Sequence, residues 1–213
     1  VDLAGFPKDV YYMYQSEWTD KTVLHIFPHW NWKAGQTVDV WAYYNKADEV
    51  ELFVNGKSVG KRSKKGDDLH VMWRIPFEAG TLKAVSRRDG KVVLEKEIKT
   101  AGNPSQLKLT ADRSTIKADK NDLSFITVDI LDEKGTLAPN ANNEIHFSLK
   151  GNGKIVGVCS GDPVSHEPYK GNKHTALAGK CLVIVQSGDK SGRLELTAKA
   201  NGLKQSTIVI TAE

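Results

Sequence analysis

No run of about 18 apolar residues occurs anywhere in the chain, so no segment is written to cross a membrane as a helix. Cysteine is scarce. Cys159 and Cys181 lie in the strand-like runs "KIVGVCS" and "KCLVIVQS", and neither has a CxxC neighbour, which removes the usual zinc spacings. A disulfide between them suits an oxidising compartment and two buried free thiols suit either kind, so cysteine usage does not fix the compartment. A basic stripe is also missing: 30 Lys and Arg stand against 26 Asp and Glu, an excess of +4 shared between the two halves. The densest basic stretch, Lys57 to Lys65 in "GKSVGKRSKKG", reads as a solvated hairpin loop, and nucleic-acid binding has no footprint. The first residues hold no charged stretch followed by an apolar one, as a secretory leader would, and Val1 reads as a cut within a longer chain.

Catalytic signatures are equally thin. There is no GxSxG elbow, P-loop or GxGxxG. Gly151 to Gly157 ("GNGKIVG") imitates a glycine-rich fingerprint, but no helix pattern follows, so it reads as a tight turn entering a strand. His25 and His29 ("HIFPH") would lie roughly 13 Å apart along a strand, and His166 and His174 have no Cys or carboxylate at ligand spacing, so no metal or other cofactor is expected. Glycoside cleavage needs two carboxyls facing each other across a cleft, roughly 5 to 9 Å apart. The acidic residues here, such as Asp67-Asp68 and Asp132-Glu133, scatter over turns and outward strand positions, and none is chosen as a catalyst.

What the sequence does hold is period-two alternation. "QTVDVWAYYN" puts Val38, Val40, Ala42 and Tyr44 on one face and Asp39, Trp41 and Tyr43 on the other. "EVELFVNGKSVG" is a hairpin turning at Asn55-Gly56, a dipeptide suited to the positive φ angles of a type I′ turn; a second hairpin turns at Asp89-Gly90. About seven strands precede Ala101, and the Gly/Pro/Ser run "TAGNPSQ" marks a boundary. Beyond it about seven Leu/Ile/Val strands form a second sandwich. Of the 17 aromatic residues, 14 fall at or before Phe77, including all five Trp. The pattern predicts an all-β protein of two tandem immunoglobulin-like β-sandwiches, residues 21–102 and 103–213, after a helical segment within residues 1–20.

That helical segment, "GFPKDVYYMYQSEW", is the exception. Pro7 suits a first helical turn, and Val10, Tyr14 and Trp18 recur every four residues with Tyr11 beside them, giving one apolar face without a helical partner. Two further features are candidates for function. His29, Trp30 and Trp32 in "HIFPHWNWKAG" either offer a platform on which sugar rings stack or fill the junction between the first sandwich and whatever precedes it. Trp41 and Trp73 read as core or sheet-face residues. The long loop Ser160 to Gly179 carries Asp162, His166, Glu167, Tyr169 and Lys170, and a loop of that length is often functional; a plain surface loop closing the sandwich edge is the alternative.

The blocks "GFPKDVYYMYQSEW", "HIFPHWNWKAGQTVDVWAYYNKADEVELFVNGKSVGK" and "WRIPFEAGTLKAVSRRDGK" resemble the C-terminal part of bacterial glycoside hydrolase family 2 enzymes of the β-galactosidase type. The likeness continues through "LTADRSTIKADKNDLSFITVDILDEKG" and "SGDPVSHEPYKG" and covers essentially the whole chain. It implies that the opening helix is the last of a preceding (β/α)₈ barrel, that the two catalytic glutamates lie upstream, and that this segment is a non-catalytic structural and positioning region. It further implies contact with that barrel, with the Ser160–Gly179 loop as a possible active-site rim or interdomain contact, and a periplasmic or secreted location. In the isolated fragment, Val10, Tyr14 and Trp18 should fold back on the first sandwich or meet a second copy. Two other readings stand beside it: a carbohydrate-binding pair using Trp30 and Trp32, and cell-surface adhesion domains.

Overall fold

The alternating segments close into two separate cores. The computed structural model describes all 213 residues, and they divide into unit 1, Pro7–Thr100 with Val1, and unit 2, Asp2–Phe6 with Ala101–Glu213. Each unit is an antiparallel β-sandwich of immunoglobulin-like type.

Unit 1 begins with helix α1 (Asp9–Trp18) and continues through β1 (Leu24–Phe27), β2 (Thr37–Tyr44), β3 (Glu49–Val54), β4 (Lys57–Arg62), β5 (Val71–Pro76), β6 (Thr81–Arg88) and β7 (Lys91–Lys99). One sheet has the order β1-β2-β5 and the other β4-β3-β6-β7. The inward residues of the two sheets, among them Ile26, Val38, Val40, Ala42, Tyr44, Val50, Leu52, Trp73, Leu82 and Ala84, form one core. Both hairpins turn where expected: Asn55 and Gly56 have φ of 50° and 80°, and Asp89 and Gly90 have 49° and 74°. The Asn55 side chain also accepts from the Thr81 N–H at 2.8 Å and donates to the Ala79 carbonyl at 3.1 Å. It fills the space a Cβ on Gly80 would need, since that atom would lie 1.9 Å from Asn55 Oδ1.

Unit 2 contains β8 (Pro104–Ala111), β9 (Thr115–Ile116), β10 (Leu123–Asp132), β11 (Glu144–Lys150), β12 (Gly153–Cys159), β13 (Lys173–Thr175), β14 (Lys180–Ser187), β15 (Gly192–Ala200) and β16 (Ser206–Ala212). Its sheets run β12-β14-β10-β8 and β13-β11-β15-β16-β9. Two short strands exceed the pattern read from sequence. β9 pairs in parallel with the end of β16, and β13 lies inside the Ser160–Gly179 segment and pairs with β11. Both are too short for period two to register. Between the sheets, Ile126, Val128, Ile130, Ile145, Phe147, Val183, Val185, Leu194, Leu196 and Ile210 are buried. Cys159 and Cys181 are free thiols, and burial pushes that of Cys181 up to about 12, an unreactive packing residue. Asp132, itself buried, closes the entrance to unit 2 by accepting from the backbone N–H groups of Gly102, Lys134 and Thr136 at 2.7–2.9 Å. Burial opposes its charge, but those three donors outweigh burial and hold the carboxyl below its ordinary value.

Helix α1 departs from expectation in two ways. It starts at Asp9, with Lys8 at the N-cap, so Pro7 precedes the helix rather than opening it. And its Val10–Tyr14–Trp18 face does not fold back on the sandwich: those residues are 44%, 44% and 77% exposed. The opposite face makes the contact instead. Ser16 is buried, its carbonyl accepts from Asn45 Nδ2 at 2.9 Å, and Glu17 pairs with Lys64 at 3.0 Å.

The Gly151-Asn152 turn carries the chain from β11 in one sheet to β12 in the other. Gly151 has φ +106°, and a Cβ there would lie 2.2 Å from the Arg193 carbonyl oxygen. The substitution Gly151→Ala is expected to destabilise unit 2 by about 1–3 kcal/mol. All five Trp belong to unit 1. Denaturant melts of the variant followed by Trp fluorescence should therefore match the parent, while the unit 2 transition seen by far-UV circular dichroism moves to lower denaturant.

Candidate functional site

Three places carry the chemistry that the sequence singled out, and a fourth emerges from the fold. The first is the segment after β1, which follows a cis Phe27–Pro28 bond. Trp30 is wholly buried. Its indole Nε1 donates to the Glu78 carbonyl at 2.9 Å, its ring meets Phe77 edge-on at 5.1 Å, and its own carbonyl accepts from Thr100 Oγ1 at 2.8 Å. The sugar-platform reading of Trp30 therefore fails, because no face of the ring is open. Within unit 1, Trp30 plugs the end of its own sandwich by tying the β1–β2 loop to the β5–β6 loop and the end of β7. Trp32 is half-buried. It lies flat against His29 with ring centres 4.7 Å apart and donates from Nε1 to the His29 carbonyl at 2.8 Å. The same His29 accepts from the Asn31 N–H at Nδ1. Burial lowers the basicity of His29, partly offset by the Asp9 charge, so its neutral form is favoured in this packed corner.

The second place is the Ser160–Gly179 loop of unit 2. Glu167 organises it: one carboxylate oxygen accepts from the Thr175 N–H at 2.9 Å, the other from Thr175 Oγ1 at 2.8 Å, and the buried His174 Nδ1 lies 3.2 Å away. Burial disfavours the Glu167 charge, but the two Thr175 bonds and the neighbouring His174 outweigh it, and the carboxyl sits below its ordinary value. Tyr169 anchors through its backbone, accepting from the Val158 N–H at 2.8 Å, while its ring stays exposed. Asp162 caps its own turn by accepting from the Val164 N–H at 3.0 Å. His166 and Lys170 point to solvent. The structure thus brings Glu167 to β13 and leaves Asp162, His166 and Lys170 on an open tip, with no convergent set that could carry out a reaction.

The third is a shallow hollow of about 350 Å³ beside that loop, lined by Leu3, Val156, Cys159, Tyr169, Leu182 and Ile184. Leu3 brings the segment Asp2–Phe6 to its edge. Asp2 Oδ1 accepts from the Ala4 and Phe6 N–H groups at 2.9 Å, and Lys180 Nζ lies 5.5 Å from the centre of the Phe6 ring.

The fourth is an aromatic row on the outward face of β1-β2-β5. Tyr12 of α1 stacks on His25 at 3.9 Å, and His25 lies parallel to Phe27 at 5.6 Å. Phe27 meets Tyr43 at 4.8 Å and Trp41 at 6.0 Å, and Trp41 stacks on His70 at 4.1 Å. Strand register sets these meetings: His25 pairs with Tyr43, Phe27 with Trp41, and Trp41 with Met72. Tyr11 continues the row through an edge contact with Tyr12 at 5.3 Å. Two ion pairs edge it, His25–Asp9 at 2.8 Å and the bidentate Arg74–Asp39 pair at 2.7 and 2.8 Å. Arg74 holds the Asp39 carboxyl below its ordinary value. Sequence reading put Asp39, Trp41 and Tyr43 on one strand face but did not join them to His25, Phe27, His70 and Tyr12. The available signal was aromatic residues at positions whose parity should be polar.

Comparison with known proteins decides the family. A profile described as glycoside hydrolase family 2 C-terminal domain 5 matches residues 107–209, nearly all of unit 2, and a domain of unknown function (DUF4982) matches residues 35–94 of unit 1. The chain belongs to the C-terminal region of glycoside hydrolase family 2. It is 60% identical to the β-galactosidase BoGH2A of Bacteroides ovatus over all 213 residues, which are 25% of that protein. Among solved structures, a β-glycosidase from Bacteroides vulgatus matches the whole chain with a TM-score of 0.94 at 34% identity, over 27% of its own length. A family 2 member from Bacteroides cellulosilyticus does so with 0.94 at 33%, over 31% of its length. This family 2 segment therefore spans about a quarter of the curated relatives it matches, 25% of BoGH2A and 22% of a β-galactosidase from Thermoanaerobacter pseudethanolicus.

The Glu167 clamp gives a direct test. Its contribution is present above the ordinary glutamate value of 4.5 and is lost as pH falls through the lowered value. Glu167→Ala should expose the loop to trypsin after Lys170 at neutral pH, with cleavage faster by roughly tenfold, about 1.4 kcal/mol of lost clamping. With a protease active in acid, the parent loop should open in the same way below that window, whereas the variant's cleavage should not change with pH.

Proposed function

We propose that this chain is the non-catalytic structural and positioning region at the C-terminal end of a family 2 β-galactosidase. The full-length protein would hydrolyse terminal β-galactosides with retention, using two glutamates of an upstream (β/α)₈ barrel as acid/base and nucleophile. The observation that carries this reading is the 60% identity to a β-galactosidase across every residue of the chain. The disposition of carboxylates supports it: Glu49, Glu51, Asp39 and Glu95 are held in ion pairs with Lys61, Arg87, Arg74 and Lys83 on sheet faces, not set opposite one another across a cleft. On this reading α1 is the last barrel helix, the barrel is the chain's partner, and the Ser160–Gly179 loop, with Asp162, His166, Glu167, Tyr169 and Lys170, is its candidate interdomain or active-site-rim contact. The family's habit favours a periplasmic or secreted protein. Self-association through Val10, Tyr14 and Trp18 is the fate proposed for the fragment alone.

The test compares the isolated chain with the full-length protein on an aryl β-galactoside. The isolated chain should release no product above background, and the full-length protein should release the β-anomer first, followed by proton NMR. Turnover by the isolated chain, or an aryl β-glucuronide preferred by the full-length protein, would overturn the proposal.

A further inference from the structure

We propose that Asn201 is a site of spontaneous covalent modification, deamidation to aspartate and isoaspartate, and that the fold protects the other two Asn-Gly pairs of the chain from it. Asn55-Gly56, Asn152-Gly153 and Asn201-Gly202 share the same chemistry. Asparagine is among the thermally labile residues, and a following glycine, having no Cβ, leaves its backbone nitrogen least shielded. Once a base has taken its proton, that nitrogen attacks the side-chain carbonyl carbon. The N–Cγ bond forms, the Cγ–Nδ2 bond breaks, ammonia leaves with a proton drawn from water, and a succinimide ring closes. Water then opens either ring carbonyl. One opening leaves aspartate; the other leaves isoaspartate, whose main chain runs through the side chain and is one atom longer.

The step needs a side chain free to swing onto the next nitrogen and a nitrogen free to meet it. Asn55 lacks the first. Its Oδ1 accepts from the Thr81 N–H at 2.8 Å and its Nδ2 donates to the Ala79 carbonyl at 3.1 Å. Asn152 lacks both. Its Nδ2 donates to Asp189 at 3.2 Å, its Oδ1 fills the space that a Cβ on Gly188 would take, and the Gly153 N–H is given to the Gly151 carbonyl at 3.1 Å. Asp189 is itself fixed by Lys120 at 2.9 Å.

Asn201 has neither restraint. It is exposed, its side chain makes no hydrogen bond, and the Gly202 N–H has no partner in the chain. A single bond closes its turn, from the Leu203 N–H to the Ala200 carbonyl at 3.2 Å. Asn201 also lines an open hollow of about 460 Å³ with Glu144, His146 and Lys199, which gives water access to the ring.

The residues just after the turn give the modification a structural consequence. Leu203 packs on the unit 2 core. Lys204 donates its N–H to the Ser105 carbonyl at 2.8 Å, and its own carbonyl accepts from the Leu107 N–H at 3.0 Å. Those two bonds stitch β8 of one sheet to the β15–β16 connection of the other. A main chain one atom longer at position 201 shifts Leu203 and Lys204 against partners that stay in place. Isoaspartate therefore loosens the stitch, whereas aspartate keeps the backbone length and leaves it intact.

The experiment ages the full-length protein at physiological temperature, at neutral and at mildly alkaline pH, beside a sample unfolded in urea. Each is digested in mild acid and the three pairs are mapped by mass spectrometry, with isoaspartate counted by enzymatic methyl transfer. In the folded protein Asn201 should convert at least about tenfold faster than Asn55 or Asn152, the factor set by a hydrogen bond that must open first. Conversion should be faster at the higher pH, and in urea the three rates should converge. Folded-state conversion at Asn55 or Asn152 that keeps pace with Asn201 overturns the proposal. So does an Asn201 that stays an amide when folded yet converts in urea. The variant Asn201→Ser, which cannot close the ring, should hold its unit 2 melting transition through the same ageing while that of the parent falls. A parent that converts at Asn201 and melts as before overturns the consequence assigned to the stitch.

Discussion

Strand parity is the constraint from which the rest of unit 1 follows. On a pleated strand a side chain serves one side of the sheet, and a neighbour one residue away serves the other. Val38, Val40, Ala42 and Tyr44 close the core, so Trp41 and Tyr43 cannot take part in it. They collect with His25, Phe27 and His70 outside, where each ring covers part of the next and α1 covers one end. The core of the sandwich is closed without this outer layer, whose rings pack on one another across the sheet face.

Much of the fold was legible in period two. The seven strands of unit 1, the Asn55-Gly56 and Asp89-Gly90 turns, and the long strands of unit 2 all follow from local alternation and turn chemistry. Two- and three-residue strands such as β9 and β13 were not legible, because their existence depends on a partner strand far away in sequence. The candidate sites were less legible for the same reason. Trp30 advertises itself beside Trp32, yet its environment is set by Phe77, Glu78 and Thr100, which no local pattern connects to it. Glu167 was one charge among several in a loop until Thr175 and His174 came to meet it. Helical periodicity found the right face of α1 but could not say which way it would turn. Ser16 and its bond to Asn45 settled that, against the hydrophobic stripe.

Unit 2 is assembled from two stretches that are far apart in the chain. Asp2–Phe6 belongs to it, and the remaining residues begin only at Ala101, after the whole of unit 1. Asp2 lies so close to Gly161 that a Cβ there would stand 2.3 Å from its carboxylate, so this short strap follows the surface of the later domain closely. During synthesis the strap emerges from the ribosome well before the residues it packs against. Unit 1 has every strand it needs once Lys99 is out and can form first, as domains made during translation do. The strands that the strap lies against, β12 and β14, are therefore made only after the whole of unit 1, so the strap's contacts span most of the chain.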